Sequence, residues 1–312
     1  MYDLIVVGLG PAGMTAGIYA GRREMKTLVI GKEVGGQLVW ASEIENYPGA
    51  PKIPSFELIE KMRSQVIDSG AEIKNDEVKR IEKKEDGTFI VSTSREVFEA
   101  SAVILCLGLS PRRLAIPGEI ELSGKGVSYC ATCDGPFYKN QKVAVVGGGN
   151  SALDAAEVLS KIASEVYLIH RGSEFRGFES LVKDVNEREN VKIMLNSELK
   201  EIIGQDKVEK IKVIHNLDNS EEEIELAGVF VEVGRIASTD LVSELADRSE
   251  KNQIIIDSEG KTKTPGLFAA GDVTSCEVKQ ITVATGQATI ASLSAYKYLQ
   301  MTTGKTFVDR KY

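Results

Sequence analysis

Asp3-Leu4-Ile5-Val6-Val7-Gly8-Leu9-Gly10-Pro11-Ala12-Gly13 opens the chain, and Lys142-Val143-Ala144-Val145-Val146-Gly147-Gly148-Gly149-Asn150-Ser151-Ala152 repeats its pattern near the middle. Each is a short, wholly apolar run that ends in glycines. An alanine-rich helical stretch and a second apolar run come next in both copies, Thr27 to Ile30 and Val166 to Ile169. A strand that is apolar at every position is buried on both faces, so each copy predicts the βαβ start of a parallel sheet. In such a turn the first glycine allows the tight bend, the second lets a pyrophosphate approach the backbone, and the third allows close packing of helix on strand. Gly8, Gly10 and Gly13 fill those places in the first copy, with Pro11 and Ala12 opening the helix whose N-terminus faces the phosphates. Gly147, Gly149 and Ala152 fill them in the second, beside Asn150 and Ser151. Alone the pattern is weak, but an apolar strand before it and a helix after it make it a dinucleotide-binding fingerprint.

The parallel between the copies extends further. Each contains two charged, turn-punctuated strand runs, Val78 to Phe98 and Val208 to Leu226, which read as antiparallel meanders attached to the parallel sheet. Each then has an apolar strand ending in glycine, Val103 to Gly108 and Val229 to Gly234. The chain beyond Gly234 has no fingerprint of its own: strand-like runs at Gln253 to Asp257 and Leu267 to Ala270, and a long helix from Ile281 to Leu299. This tail is expected to complete the first copy. The predicted fold class is α/β, with two Rossmann-like three-layer nucleotide-binding domains, the second inserted into the first. The expected boundaries are 1–110 with 241–312 for the discontinuous domain and 111–240 for the insert. Pro111 to Gly118 and Arg235 to Thr239 are the hinge segments, and two crossings at one place permit rotation between domains.

The 312 residues are 42% hydrophobic and 27% charged, an ordinary globular balance with enough length for two cores. A formal charge of −8 argues against a nucleic-acid or anionic-membrane partner, since both need a positive field. No apolar stretch nears the roughly 20 residues of a membrane-spanning helix, and no signal peptide is visible. Four cysteines in so long a chain are no disulfide framework and suit a reducing cytoplasm.

Two of them stand as Cys130-Ala131-Thr132-Cys133, just before the second fingerprint. Such a pair can close a small disulfide that exchanges two electrons with another dithiol. Metal binding usually needs four ligands, yet Cys106 lies in an apolar strand, Cys276 in a distant loop, and the only histidines are His170 and His215, so no zinc site is expected. Cys106 reads as a buried small apolar residue. Asp134 comes directly after the pair, as a proton shuttle for thiolate chemistry or as the start of the Asp134-Gly135-Pro136 turn, two compatible roles.

The loop after the second strand of a fingerprint decides the nucleotide. In the first copy it is Gly31-Lys32-Glu33, where Glu33 is either a displaced ribose ligand or a solvated loop residue. In the second it is His170-Arg171-Gly172-Ser173-Glu174-Phe175-Arg176, two guanidinium groups and no carboxylate at the strand end. That arrangement suits a ribose 2′-phosphate; the plainer reading is a basic loop paired with Glu174 and Glu179.

Together with Gly35-Gly36-Gln37-Leu38, Glu45-Asn46-Tyr47-Pro48-Gly49, Ile116-Pro117-Gly118-Glu119 and Thr264-Pro265-Gly266-Leu267-Phe268-Ala269-Ala270-Gly271-Asp272-Val273, these motifs resemble those of the low-molecular-weight thioredoxin reductases, in order and spacing, over essentially the whole chain. The resemblance implies a homodimeric flavoprotein with FAD in the first domain, and NADPH and the redox disulfide in the inserted one. FAD would contact Gly8 to Gly13, Gly31, Lys32, Glu33, Gly36, Gln37, Leu38, Asn46, Gly108, Gly271, Asp272, Lys279, Gln280 and Ile281. NADPH would contact Gly147, Gly149, Asn150, Ser151, Arg171 and Arg176. By the same resemblance Cys133 faces the flavin, Cys130 attacks the disulfide of thioredoxin, and Asp134 is the acid/base. Nicotinamide and disulfide, on one domain, would reach the flavin in turn by domain rotation. One position departs from the family's loop: Gly172 stands where a second consecutive arginine is usual. That leaves NADH, ferredoxin or a deazaflavin as alternative donors, and a flavin-bound dithiol sensor is the alternative from outside enzymology.

Overall fold

The structure, a computed structural model, describes residues 1–40, 43–44 and 46–304. Glu45 of the Glu45-Asn46-Tyr47-Pro48-Gly49 motif therefore lies outside the described residues. The chain divides into two compact units, residues 1–110 with 236–312 and residues 111–235.

The first unit begins β1 (Tyr2–Val7), α1 (Pro11–Arg22) and β2 (Thr27–Gly31), and continues through a small antiparallel pair, β3 (Glu43–Ile44) with β4 (Ile53–Pro54), to α2 (Ser55–Asp68). Next come β5 (Glu72–Asn75), β6 (Val78–Lys83), β7 (Phe89–Thr93), β8 (Val97–Leu105) and β9 (Ser110–Pro111). The main sheet runs β5-β2-β1-β8-β7-β6. Its β5, β2, β1 and β8 are parallel, and β8 doubles as the last strand of the β6-β7-β8 meander. Both faces of the sheet are buried. Leu4, Val6 and Ile104 point into a core closed by the helices, while Ile5, Val7 and Leu105 point into one with Phe89, Val242 and Ile254. This is why β1 has no polar position after Asp3.

The second unit holds β10 (Val127–Ser128), α3 (Ala131–Asp134), β11 (Lys142–Val146), α4 (Asn150–Ser160), β12 (Glu165–Ile169), α5 (Glu179–Asn186) and β13 (Val191–Met194). It continues with β14 (Ser197–Ile203), β15 (Lys210–His215), β16 (Glu221–Glu225) and β17 (Gly228–Val231). Its parallel sheet has the order β10-β17-β11-β12-β13. Here the meander differs from expectation. It is a separate three-stranded sheet, β14-β15-β16, lying on the parallel sheet rather than hydrogen-bonded into it. The three layers are α4 and α5 on Val143, Val145 and Phe230, and the meander's Leu199, Ile211 and Val213 on Ala144, Val229 and Val231.

The chain returns through β18 (Arg235–Ile236), paired with β9, and ends with β19 (Leu267–Ala269) and α6 (Ile281–Thr303). Arg112 N–H donates to Gly234 O within the second unit, and Ser238 Oγ donates to Ser110 Oγ within the first. Residues 236–240, assigned above to the insert, group with the first unit, because buried Thr239 donates its hydroxyl to Asn252 O. β19 pairs parallel with β8, and α6 packs on α1, with Ser292 Oγ donating to Ala16 O. Gln253 to Asp257 forms no strand; only Ile254 bridges, to Arg248 and Thr274. Ile254 and Ile256 both pack on the core, but no continuous ladder forms around them. Among the described residues no helix is long and apolar enough to cross a membrane.

Glu119 is wholly buried in the second unit, where its carboxylate accepts from Leu114 N–H at 3.0 Å, Ala115 N–H at 2.7 Å and the Tyr129 hydroxyl at 2.9 Å. Burial and this acceptor push the Tyr129 phenol up to about 12. The result is a tie between the incoming crossing and the residue before Cys130. Glu119→Ala leaves three donors without their acceptor and is expected to destabilise the protein by about 3 kcal/mol, read as a lowered urea midpoint.

Candidate active site

The first glycine turn is packed backbone against backbone. Gly8, at φ +127, donates its N–H to Ile30 O at 2.7 Å, and a Cβ on Gly13 would lie 1.7 Å from Gly8 O. Gly10, by contrast, is open: a Cβ there would meet nothing nearer than Gly36 Cα at 3.8 Å. Gly10 caps α1 in an extended conformation with no side-chain cap, so the first helical N–H groups are left for an anionic ligand.

Residues far apart in sequence close around this turn. Gly35 N–H donates to Leu9 O, and Gln37 Nε2 donates to Asp272 Oδ2 at 2.8 Å. Leu38 is buried, and Gly108 lies 3.7 Å from Gln37 Nε2, measured from the position of an added Cβ. Asn46 Nδ2 donates to Gln280 Oε1, the residue before Ile281 and α6. Lys279 Nζ donates to the carbonyls of Asp272 and Thr274, and burial lowers its pKa. Lys32 and Glu33 succeed Gly31 at the same sheet end, both exposed, and Glu33 has no hydrogen-bond or ion-pair partner among the described residues. Sequence reasoning missed Gln287, whose Oε1 accepts from Gly271 N–H at 2.9 Å and from Thr274 Oγ1, fixing the Gly271-Asp272 bend. Its signal was an amide beside the alanines Ala284, Ala288 and Ala291 that α6 buries.

The second turn repeats the design. Gly147 is pressed against β17, since a Cβ would lie 2.3 Å from Glu232 O, whereas nothing lies within 4 Å of one on Gly149. Gly149 caps α4 without a side-chain cap. The loop after β12 is tied over this turn: Arg176 N–H donates to Gly148 O, and Phe178 N–H to Asn150 Oδ1. Ser151 is exposed. Between them sits the His170 ring, with Nε2 at 3.0 Å from Glu174 O and the ring stacked on Phe175. Burial first, and then Arg176 and Arg171, hold the His170 pKa below its usual value. A neutral ring that donates Nε2–H to Glu174 O is therefore committed to structure. Arg171 and Arg176 are exposed, and neither pairs with a carboxylate among the described residues, so the paired-loop reading with Glu174 and Glu179 fails. Gly172 has its own reason: a Cβ there would sit 2.7 Å from His170 Nε2.

Cys130 and Cys133 form a disulfide with Cα atoms 5.4 Å apart. Cys130 ends the extended segment after β10, its backbone N–H held by Ser128 Oγ, and its Sγ accepts from Cys133 N–H. Cys130 is 8% exposed while Cys133 is exposed. Asp134 donates its N–H to Cys130 O, and its charge, after burial, helps raise the Tyr138 phenol. Cys106 is free and buried, burial pushes its thiol up, and Cys276 is free and half-buried.

Residues 2–288 match the family model of the pyridine nucleotide-disulphide oxidoreductases. A thioredoxin reductase of Listeria innocua is 40% identical over 303 residues, covering 96% of this chain and 94% of that protein. Among solved structures, Lactococcus lactis thioredoxin reductase in its FR conformation superposes with a TM-score of 0.88 at 36% identity, covering 96% of this chain and all of that one. T. acidophilum thioredoxin reductase superposes with a TM-score of 0.84 at 34% identity, covering 95% and 98%.

Proposed function

The chain belongs to the pyridine nucleotide-disulphide oxidoreductase family, and we infer that its reaction is thioredoxin-disulfide reduction, driven by a reduced pyridine nucleotide. The observation that carries this reading is the Cys130–Cys133 disulfide, set in the same unit as an uncapped glycine turn of the dinucleotide type. When held by the first unit, FAD would supply two-electron chemistry that can link a nicotinamide to a disulfide.

The chain's own residues do the rest. Gly8 to Gly13, Gly31 to Leu38, Gly108, Asn46 and the Gly271-Asp272 bend bind FAD, with Gln287 and Lys279 fixing the bend. Gly147 to Ser151 receive the nucleotide pyrophosphate. Cys133, the exposed sulfur, would be the one reduced by way of the cofactor, and Cys130 the one that exchanges with the partner's disulfide. Asp134 moves the accompanying proton. The enzyme works in the cytoplasm as a homodimer, with thioredoxin or a thioredoxin-like protein as partner.

Anaerobic titration with NADPH and separately with NADH, and then with oxidised thioredoxin, tests the whole path. Bleaching of the yellow protein by either nucleotide and its recovery with thioredoxin are expected; no bleaching by either would overturn the nicotinamide part. The Arg171 and Arg176 guanidinium groups, exposed and without a carboxylate partner among the described residues, favour NADPH. Arg171→Ala and Arg176→Ala are each expected to raise KM for NADPH about tenfold to hundredfold, the worth of one charge-assisted bond, with KM for NADH unchanged. Equal effects on both nucleotides would remove the 2′-phosphate assignment.

A further inference from the structure

The ladder that leads to the disulfide is short. β10 pairs with β17 at Val127 and Ser128 only, and Tyr129 alone stands between that ladder and Cys130. The Tyr129 ring packs on the core shared with the meander, and its hydroxyl donates to Glu119 Oε1 at 2.9 Å. The acceptor is itself fixed. Glu119 is wholly buried, and its Oε2 accepts from the N–H of Ala115, which lies at φ +59, a left-handed conformation uncommon for a residue with a side chain. The segment carrying Glu119 is pinned to β14 as well, since Ile202 N–H donates to Pro117 O at 3.0 Å and a Cβ on Gly118 would lie 1.8 Å from Ile202 O. Cys130 is held at its backbone too: its N–H donates to Ser128 Oγ at 3.0 Å, and its carbonyl accepts from Asp134 N–H at 3.1 Å. None of these bonds uses a sulfur atom, so all of them can outlast the Cys130–Cys133 bond.

We propose that Tyr129, anchored on Glu119, is a positioning residue for the redox disulfide: it keeps Cys130 in place after the bond has opened, and so favours its re-formation. This deepens the thioredoxin-reductase reading and rests on it. Tyr129 acts through the backbone of Cys130. Closing a disulfide from two thiols costs whatever freedom the open segment has gained. A segment that is already fixed has gained little, so the anchor shifts the equilibrium from dithiol towards disulfide. The Tyr129 phenol, pushed up to about 12 by burial first and then by Glu119, stays protonated and keeps donating across the neutral range.

The test is the equilibrium of the protein disulfide with reduced and oxidised dithiothreitol. The Cys130–Cys133 bond breaks, dithiothreitol closes its own S–S ring, and its two thiol protons pass to the two cysteines. The exchange needs neither nucleotide nor thioredoxin, so it stays readable if the thioredoxin reading fails. Dithiol and disulfide are counted by acid quench, alkylation and mass spectrometry of the peptide that carries both cysteines. Tyr129→Phe keeps the ring and removes only the donor. It should raise the ratio of dithiol to disulfide in a fixed buffer about tenfold, equivalent to about 30 mV for two electrons. A tie that merely supported the fold would weaken both redox forms alike and leave that ratio where it is.

A second measurement needs no variant. In wild-type protein, hydrogen exchange at Ala115 and Cys130 should change by less than about threefold when the disulfide is reduced, because the anchor persists. A ratio unmoved in Tyr129→Phe, or protection at Ala115 and Cys130 lost on reduction of the wild type, overturns the proposal.

Discussion

Cys133→Ser is expected to reduce thioredoxin at the uncatalysed background rate, a loss of roughly 10⁴-fold or more, because removing one member of a two-sulfur relay removes the relay. The remaining sulfur should still report its role. Mixed with oxidised thioredoxin carrying a good leaving group, Cys133→Ser should accumulate a covalent adduct through Cys130, visible by mass spectrometry and released by excess dithiol. Cys130→Ser should form none. Burial makes this more than a formality, since Cys130 is 8% exposed and Cys133 is the open sulfur. If only Cys130→Ser forms the adduct, the roles of the two sulfurs are reversed. Cys106, buried with its thiol pushed up, is no competing nucleophile.

Gly13→Ala should give a colourless protein. The added methyl carbon would sit 1.7 Å from Gly8 O, backbone that cannot swing aside as a flexible side chain could. Gly8 has no room to retreat, because its own Cα faces Cys106 O across β8 and its N–H is fixed on Ile30. Relief requires helix α1 to lift from β1, which opens the gap at the pyrophosphate turn and uncovers the apolar face beneath. The expected cost is about 3 kcal/mol or more of stability, with the ratio of flavin to protein absorbance in the purified protein close to zero. Retention of FAD at full stoichiometry would mean that the turn tolerates a shift that the geometry does not provide.

Both predictions rest on features legible before any coordinates, for a definite reason. Glycine turns and a Cys-x-x-Cys are local: strand, bend and helix lie within about 15 residues, and periodicity reports them directly. The tail of the chain was legible by elimination, since Leu267 to Ala270 and the α6 helix had no fingerprint of their own to serve. Residues whose meaning is tertiary were harder. Glu119 is one more acid in a charged turn until its three donors arrive from Leu114, Ala115 and Tyr129. Gln287 acts on Gly271, sixteen positions away along the chain. The second meander was recognised as strands but misplaced, because a free-standing sheet and an attached one share the same alternation.

That α6 lies on α1, and β19 beside β8, has a consequence for biosynthesis. On the ribosome the insert, residues 111–235, emerges as a continuous segment and can close its core while the rest of the chain is still being made. The first unit cannot. Its Gly8 turn is translated before the insert, yet the Asp272 partner of Gln37 and the helix that covers Ala16 arrive only after it. Cofactor loading therefore waits on residues beyond the insert, and nascent chains halted before residue 281 should carry a folded insert and no flavin.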